Sequence, residues 1–261
     1  MKTRWRIPGS LDGLLVGAII VVLWEVGVRV GNVPNYLLPP PSAIAQRMVQ
    51  DIGSILYHTA ATTLEVMIGF ALAIIVSIPL AAALAQMRTV ERMLYPVLVA
   101  SQTIPKVAIA PLLVVWFGFG LAPKVLIAFL ICFFPIVVDS LIGFRSAPKE
   151  VSWLARSMGT TRWQNFINFQ IPAALPHIFA GVKVASTLAI VGAIVGEFVA
   201  ADRGLGYQLI VANGALDVTL SFTVLVVLSL LGVLLYALVD VVERWALPWH
   251  VSQRAIEGDG R

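Results

Sequence analysis

Two stretches of this chain, residues 66–87 and 218–239, each run for 22 residues without a charged side chain. A helix needs about 20 apolar residues to cross ~30 Å of hydrocarbon, so both read as membrane spans, and every other element has to be compatible with a bilayer. Of all residues 59% are apolar and 12% charged, about half the charged share of a water-soluble domain. A cytosolic globular enzyme does not fit these proportions. No Lys/Arg block exceeds the alternating Lys2, Arg4 and Arg6, which argues against nucleic acid as a partner. Cys132 is the single cysteine and has no second thiol for a disulfide or a metal cluster.

Four further spans are expected. Residues 11–30 follow a basic start and carry Asp12, Glu25 and Arg29 near their ends; no small-x-small site follows them, so they are read as a span and not a cleaved leader. Between Arg92 and Lys124 only Lys106 is charged. As one straight helix this stretch would reach about 46 Å, so Pro105 and Pro111 are expected to break it. Residues 124–142 and 176–198 complete six. The start of the uncharged stretch 162–183 holds Gln164, Asn165, Asn168 and Gln170, and is assigned to a helical hairpin outside the membrane. With the N-terminus inside, twelve basic residues fall on the cytoplasmic side and four, Arg29, Arg47, Lys124 and Arg203, outside. The positive-inside rule then places both termini in the cytoplasm. Trp5, Trp24, Tyr95, Trp116, Trp245 and Trp249 fall near span ends, where interfacial aromatics belong. Outside the first span, the extended Leu37-Leu-Pro-Pro-Pro-Ser42 leads into a surface helix over residues 43–57, capped by Ser42.

Charges inside spans are costly and mark function or a structural pair. Lys106, near mid-depth, is the leading pathway candidate, with a structural pair beside the broken backbone as the equal alternative. Asp139 and Lys183 read as an ion pair between neighbouring spans. Glu65 and Glu197 lie near outer ends, facing either a gate or the headgroups. Gly192 and Gly196 permit close helix packing, internal in preference to a dimer seam. The polar stretch 200–217 reads either as a gating helix over residues 207–212, with Tyr207 at its start, or as an interfacial loop.

Enzyme chemistry is missing. There is no HExxH pair, no GxSxG elbow and no GxxxxGK[ST] loop, so the chain has no ATP site of its own. Its unusual feature is the loop over residues 143–176. Pro148 starts one helix, with Trp153, Leu154 and Met158 apolar on one side and Gly159 ending it; a second helix runs over residues 161–170. A loop this long in a compact bundle has a task, and exposed Trp153 and Trp163 favour docking of a peripheral partner.

Ala155-Arg-Ser-Met-Gly159, followed by Ile171-Pro-Ala-Ala-Leu-Pro176, resembles the EAA loop of ATP-binding-cassette importer permeases. Leu38-Pro-Pro-Pro-Ser-Ala43, Ile104-Pro-Lys-Val-Ala108, Trp116-Phe-Gly118, Phe134-Pro135 and Gly204-Leu-Gly-Tyr207 are similar to segments of the nitrate, sulfonate, taurine and bicarbonate branch. The loop glutamate of the family would fall at Trp153 and its first alanine at Leu154, leaving Ala155 as the match and Glu150 one turn earlier. The resemblance implies an all-α, six-span type I permease fold with cytoplasmic coupling helices. It divides the chain into residues 1–36, a permease core 37–245 with the coupling loop 143–176, and a tail 246–261. It implies coupling through Glu150, Trp153, Leu154, Ala155, Met158, Gly159, Trp163 and Pro172, and a pathway near Lys106, Glu197 and Tyr207. Partners would be a second copy, two ATPase subunits holding ATP and Mg, an external binding protein and membrane lipid, in a bacterial inner membrane. The cargo implied is a small anion, or alternatively a vitamin precursor such as an aminopyrimidine or flavin. An ion-coupled secondary carrier or channel is the competing class; against it stand the docking loop and the lack of a repeated half.

Overall fold

The computed structural model describes residues 9–248, so expectations for Lys2, Arg4, Arg6, Trp5, Trp249, Arg254 and Arg261 lie outside it. Within that range the chain is helical. The elements are α1 Gly9–Val30, α2 Pro41–Gln50, α3 Ile52–Gln86, α4 Arg88–Gln102, α5 Lys106–Phe117, α6 Leu121–Arg145, α7 Lys149–Ser157, α8 Arg162–Asn165, a π-helical turn Phe166–Gln170, α9 Ile171–Ala200, α10 Leu205–Gly214 and α11 Val218–Ala246. The spans α3, α6, α9 and α11 are long and apolar enough to cross a membrane; α4 and α5, bent by 94° at their junction, make a fifth. Among the described residues that makes four to five spans; the remaining expected span corresponds to α1, 22 residues long. The hairpin of α7 and α8 closes one end of the bundle, and α10 closes the other.

The core lies between α3, α6 and α9, which pack most extensively on one another. Small residues set how closely they approach. A Cβ on Gly192 would stand 2.6 Å from Ala128 Cα, and one on Gly196 2.8 Å from Lys124 Cα. The Gly192xxxGly196 face is thus spent on internal α6–α9 packing. Cys132 and Ile136 of α6, Ala185 and Ala189 of α9 and Ala73 of α3 belong to the same buried core.

Four expectations are corrected. The surface helix starts at Pro41, so Ser42 lies inside it and donates to Glu25 instead of capping; it ends at Gln50, because Asp51 leaves helical backbone and takes Arg47 Nε at 2.5 Å, and residues 52–57 begin α3. Arg47 also reaches Asp217 at 3.0 Å, tying α2 to the start of α11. Pro111 breaks nothing and sits inside α5. The break falls at Thr103–Pro105, where Pro105 disfavours helical backbone at Ile104 and the Ser101 and Thr103 hydroxyls donate to the Leu98 and Ala100 carbonyls. The second hairpin helix is four residues long and passes through the π turn into α9 without interruption. Thr161 and Gln164 cap its start reciprocally, and Pro172 and Pro176 are carried within the continuous helix.

The fourth correction concerns Asp139 and Lys183, which do not pair. Asp139 packs against Gly181, where a Cβ would meet Asp139 Cβ at 2.8 Å. Two residues further on is about 200° around the helix, so Lys183 points away, to Asp240 at 2.6 Å and to Glu243 on α11.

Candidate functional site

At the α10 end, charged and polar side chains are buried together. Lys124 Nζ meets Glu65 Oε1 at 2.8 Å with both side chains 3% exposed. Lys124, counted on the outer side in the sequence, is an internal cation joining α6 to α3. Beside it Glu197, on α9 and 1% exposed, accepts from Thr62 Oγ1 at 2.6 Å and from the Gly206 amide. The Leu205 amide donates to Thr62 Oγ1 at 2.8 Å, and the Gly204 amide to His58 Nδ1 at 3.0 Å. These three amides are first-turn donors of α10, which have no partner within their own helix. Thr62, His58 and Glu197 supply the partners. The stretch 200–217 thus contains a docked helix, and its glycines have a physical role. Gly204 takes φ +120, and a Cβ there would stand 2.2 Å from the Glu197 carboxyl; a Cβ on Gly206 would stand 2.8 Å from Glu197 Oε2.

Tyr207 belongs to the same neighbourhood, its ring 6.0 Å from that of His58. Lys106 does not join it. It is the first residue of α5, just past the bend and not mid-way along a straight span, and its Nζ lies 5.0 Å from the Phe134 ring centroid. Among the described residues it has no ion pair, and the aromatic face supplies a favourable contact. His58, Thr62 and Glu65 were not sequence candidates for one site. Each sits on the opening turns of α3, and only the fold brings them to α10.

At the other end α7 stands outside the bundle. Trp153, Leu154 and Met158 are 65%, 64% and 78% exposed, while Ala155, on the opposite face, is 4% exposed. Gly159, at φ +86, closes α7. Its amide donates to the Arg156 carbonyl and that of Thr160 to the Ala155 carbonyl, the paired bonds of a Schellman ending. Ala155 is small because it faces its own hairpin, and Gly159 is glycine because of its backbone angle. Glu150 is exposed in the first turn of α7. Trp163 is 68% exposed yet stacks on Phe166 at 5.8 Å, which stacks on Phe144 of α6 at 5.7 Å. Force on the hairpin therefore has an aromatic path into α6 and, through the π turn and Pro172, a helical path into α9.

Residues 73–247 match the family described as "Binding-protein-dependent transport system inner membrane component". The chain is 42% identical to the riboflavin transport system permease protein RibX of Chloroflexus aurantiacus over 90% of this chain and 88% of that one. It is 38% identical to the formylaminopyrimidine transport permease protein ThiX of Halalkalibacterium halodurans over 94% and 98%. It is 27% identical to the taurine transport system permease protein TauC of Escherichia coli over 95% and 94%. These findings set aside the secondary-carrier reading. The chain belongs to the binding-protein-dependent transport family: it is a multi-pass inner-membrane permease subunit of an ABC importer, and ATP hydrolysis is carried out by a separate ATPase.

Proposed function

We propose that two copies of this chain form the pathway of an importer for a small aromatic heterocycle of the vitamin or vitamin-precursor class, delivered by an external binding protein. The observation that carries the cargo assignment is the higher identity to the riboflavin and formylaminopyrimidine permeases, 42% and 38%, than to the taurine permease at 27%. The hairpin faces the cytoplasm, where α7 seats in a groove of the ATPase through Trp153, Leu154 and Met158, with Glu150 in place of the loop glutamate. ATP and Mg reside on that partner. Six crossings put the start of α1 and the end of α11 on the hairpin side, and the excess of basic residues there agrees with a cytoplasmic assignment.

A small anion such as taurine or a sulfonate is the second reading. It rests on Lys106, an unpaired cation among the described residues at the bend between α4 and α5. The deciding experiment is uptake into vesicles bearing the whole transporter. Riboflavin or an aminopyrimidine should compete with the native cargo and taurine should not; the reverse result assigns the cargo to the anion class.

A further inference from the structure

We propose that a basic cavity at the hairpin end binds the phosphate headgroup of an anionic phospholipid, making membrane composition an input to the coupling hairpin. The cavity holds about 670 Å³ and is lined by Arg92, Arg145, Ser152, Trp153, Arg156, Asn165 and Gln170, among others, so it opens beside the face of α7 assigned to the ATPase. Arg145 is paired with Glu91. Arg92 and Arg156 have no acidic partner among the described residues, so the cavity carries two uncompensated guanidinium charges. Such forks match phosphate oxygens in charge and geometry.

The cavity also holds a buried group without a partner. Asn165 is 2% exposed and its Oδ1 is unsatisfied, while its Nδ2 makes only a 3.4 Å contact with Ser152 Oγ. Exchanging the two ends of the amide lets the Ser152 hydroxyl donate to Oδ1; the other amide end is closed to solvent, so it reaches an anion only if the cavity wall opens. Depth favours a lipid over a soluble phosphate. The cavity lies where α3 ends at Gln86 and α6 at Arg145, the level of the headgroups, and basic pockets between spans at this level recognise anionic lipids.

An apolar groove of about 420 Å³, lined by Ala82, Ala83, Trp163 and Phe166 among others, runs beside it. The two share a wall formed by the Gln86–Gln170 hydrogen bond of 2.7 Å and the stacked Phe144 and Phe166 rings. Ala82 and Ala83 belong to the membrane span, so the groove gives an acyl chain a track alongside its headgroup.

The test uses the purified permease–ATPase complex in nanodiscs of phosphatidylcholine mixed with phosphatidylglycerol, with retained lipid read by native mass spectrometry. Arg92→Gln with Arg156→Gln is expected to lower retained phosphatidylglycerol about tenfold or more, since each basic side chain near an anionic surface contributes about 1 kcal/mol. Ala83→Phe, which fills the groove and leaves the arginines in place, is expected to lower it several-fold. Unchanged retention in the double arginine variant overturns the proposal. So does loss of ATPase subunits with lipid retained, which would assign the arginines to acidic side chains of the ATPase. A third arm adds inorganic phosphate in pure phosphatidylcholine; thermal protection equal to that given by phosphatidylglycerol would mean a soluble phosphate site and overturn the lipid assignment.

Discussion

The two ends of the molecule solve opposite problems. At the α10 end, Glu65, Lys124, Thr62 and Glu197 are removed from solvent and bonded to one another or to amides of the docked helix. At the hairpin end, Trp153, Leu154, Met158 and Trp163 are large, apolar and mostly uncovered, on the segment that links α6 to α9. Polar groups buried and mostly paired within one chain belong to its own interior, although Glu65 Oε2 and Gln208 Oε1 keep no partner there. Apolar anchors left bare on an amphipathic helix are half of an interface. Substitutions at the first end should therefore register as lost stability, and at the second as a lost partner.

The largest expected effect comes from stranding a charge. Lys124→Met leaves the Glu65 carboxyl buried without its cation, and breaking a buried pair from one side costs about 3–5 kcal/mol. Heating the detergent-solubilised protein should show a large drop in Tm. Adding Glu65→Leu should restore most of it, because a buried ion pair and a well-packed apolar pair are often of similar stability. Failure of the double variant to recover would mean that Lys124 does more than neutralise Glu65.

A paired substitution separates the two ends next. Gly204 and Gly159 both hold positive φ, so alanine carries a backbone penalty at either, about 1–2 kcal/mol at Gly159 and about 1–3 kcal/mol at Gly204, whose φ 120 and ψ 165 suit essentially only glycine. At Gly159 that is the whole cost, since nothing lies within 4 Å of the added Cβ. At Gly204 the same methyl meets the Glu197 carboxyl at 2.2 Å, so α10 must shift and its amide bonds to His58, Thr62 and Glu197 go with it. Gly204→Ala is expected to expose the amides of residues 204–206 to hydrogen exchange and to abolish uptake. Gly159→Ala should lower Tm only modestly. Equal losses would break the contrast.

Trp153→Ala sharpens the other side. An exposed tryptophan contributes little to the fold of its own chain, while an interface anchor costs about 2 kcal/mol or more on truncation, roughly a thirtyfold loss in affinity. Tm should hold, and co-purification of the ATPase should fall. A drop in Tm with the ATPase still bound would mean that Trp153 is covered within the permease.

The hairpin end was the more legible from sequence because its signals are local. Pro148, the apolar spacing of Trp153, Leu154 and Met158, and Gly159 all lie within a dozen residues and act through backbone geometry and one helix face. The spans were legible for a similar reason, since a run of apolar residues reports its own environment. The α10 latch was not, because its parts are far apart in sequence: His58 and Thr62 sit 146 and 143 residues from the amides they receive. The Lys124–Glu65 pair was not legible because a charge near a span end looks the same whether it faces headgroups or a buried acid; only the neighbouring helix decides. Asp139 and Lys183 failed on helix phase, two residues around α9 being enough to turn the lysine toward α11.

Lys106 gives the smallest expected effect on stability, and it tests whether the molecule has a functional cation between its two ends. Its visible interaction is with the Phe134 ring at 5.0 Å, worth about 0.5–1 kcal/mol at a partly exposed position, so Lys106→Ala should lower Tm only slightly. A charge retained beside a 94° bend for so small a structural return is expected to act in transport: uptake should fall while assembly with the ATPase persists. Lys106→Arg separates charge from shape. If arginine restores uptake, the cation is what the bend requires; if both variants transport normally, Lys106 is a packing residue against Phe134, and the anion reading of the cargo loses its support.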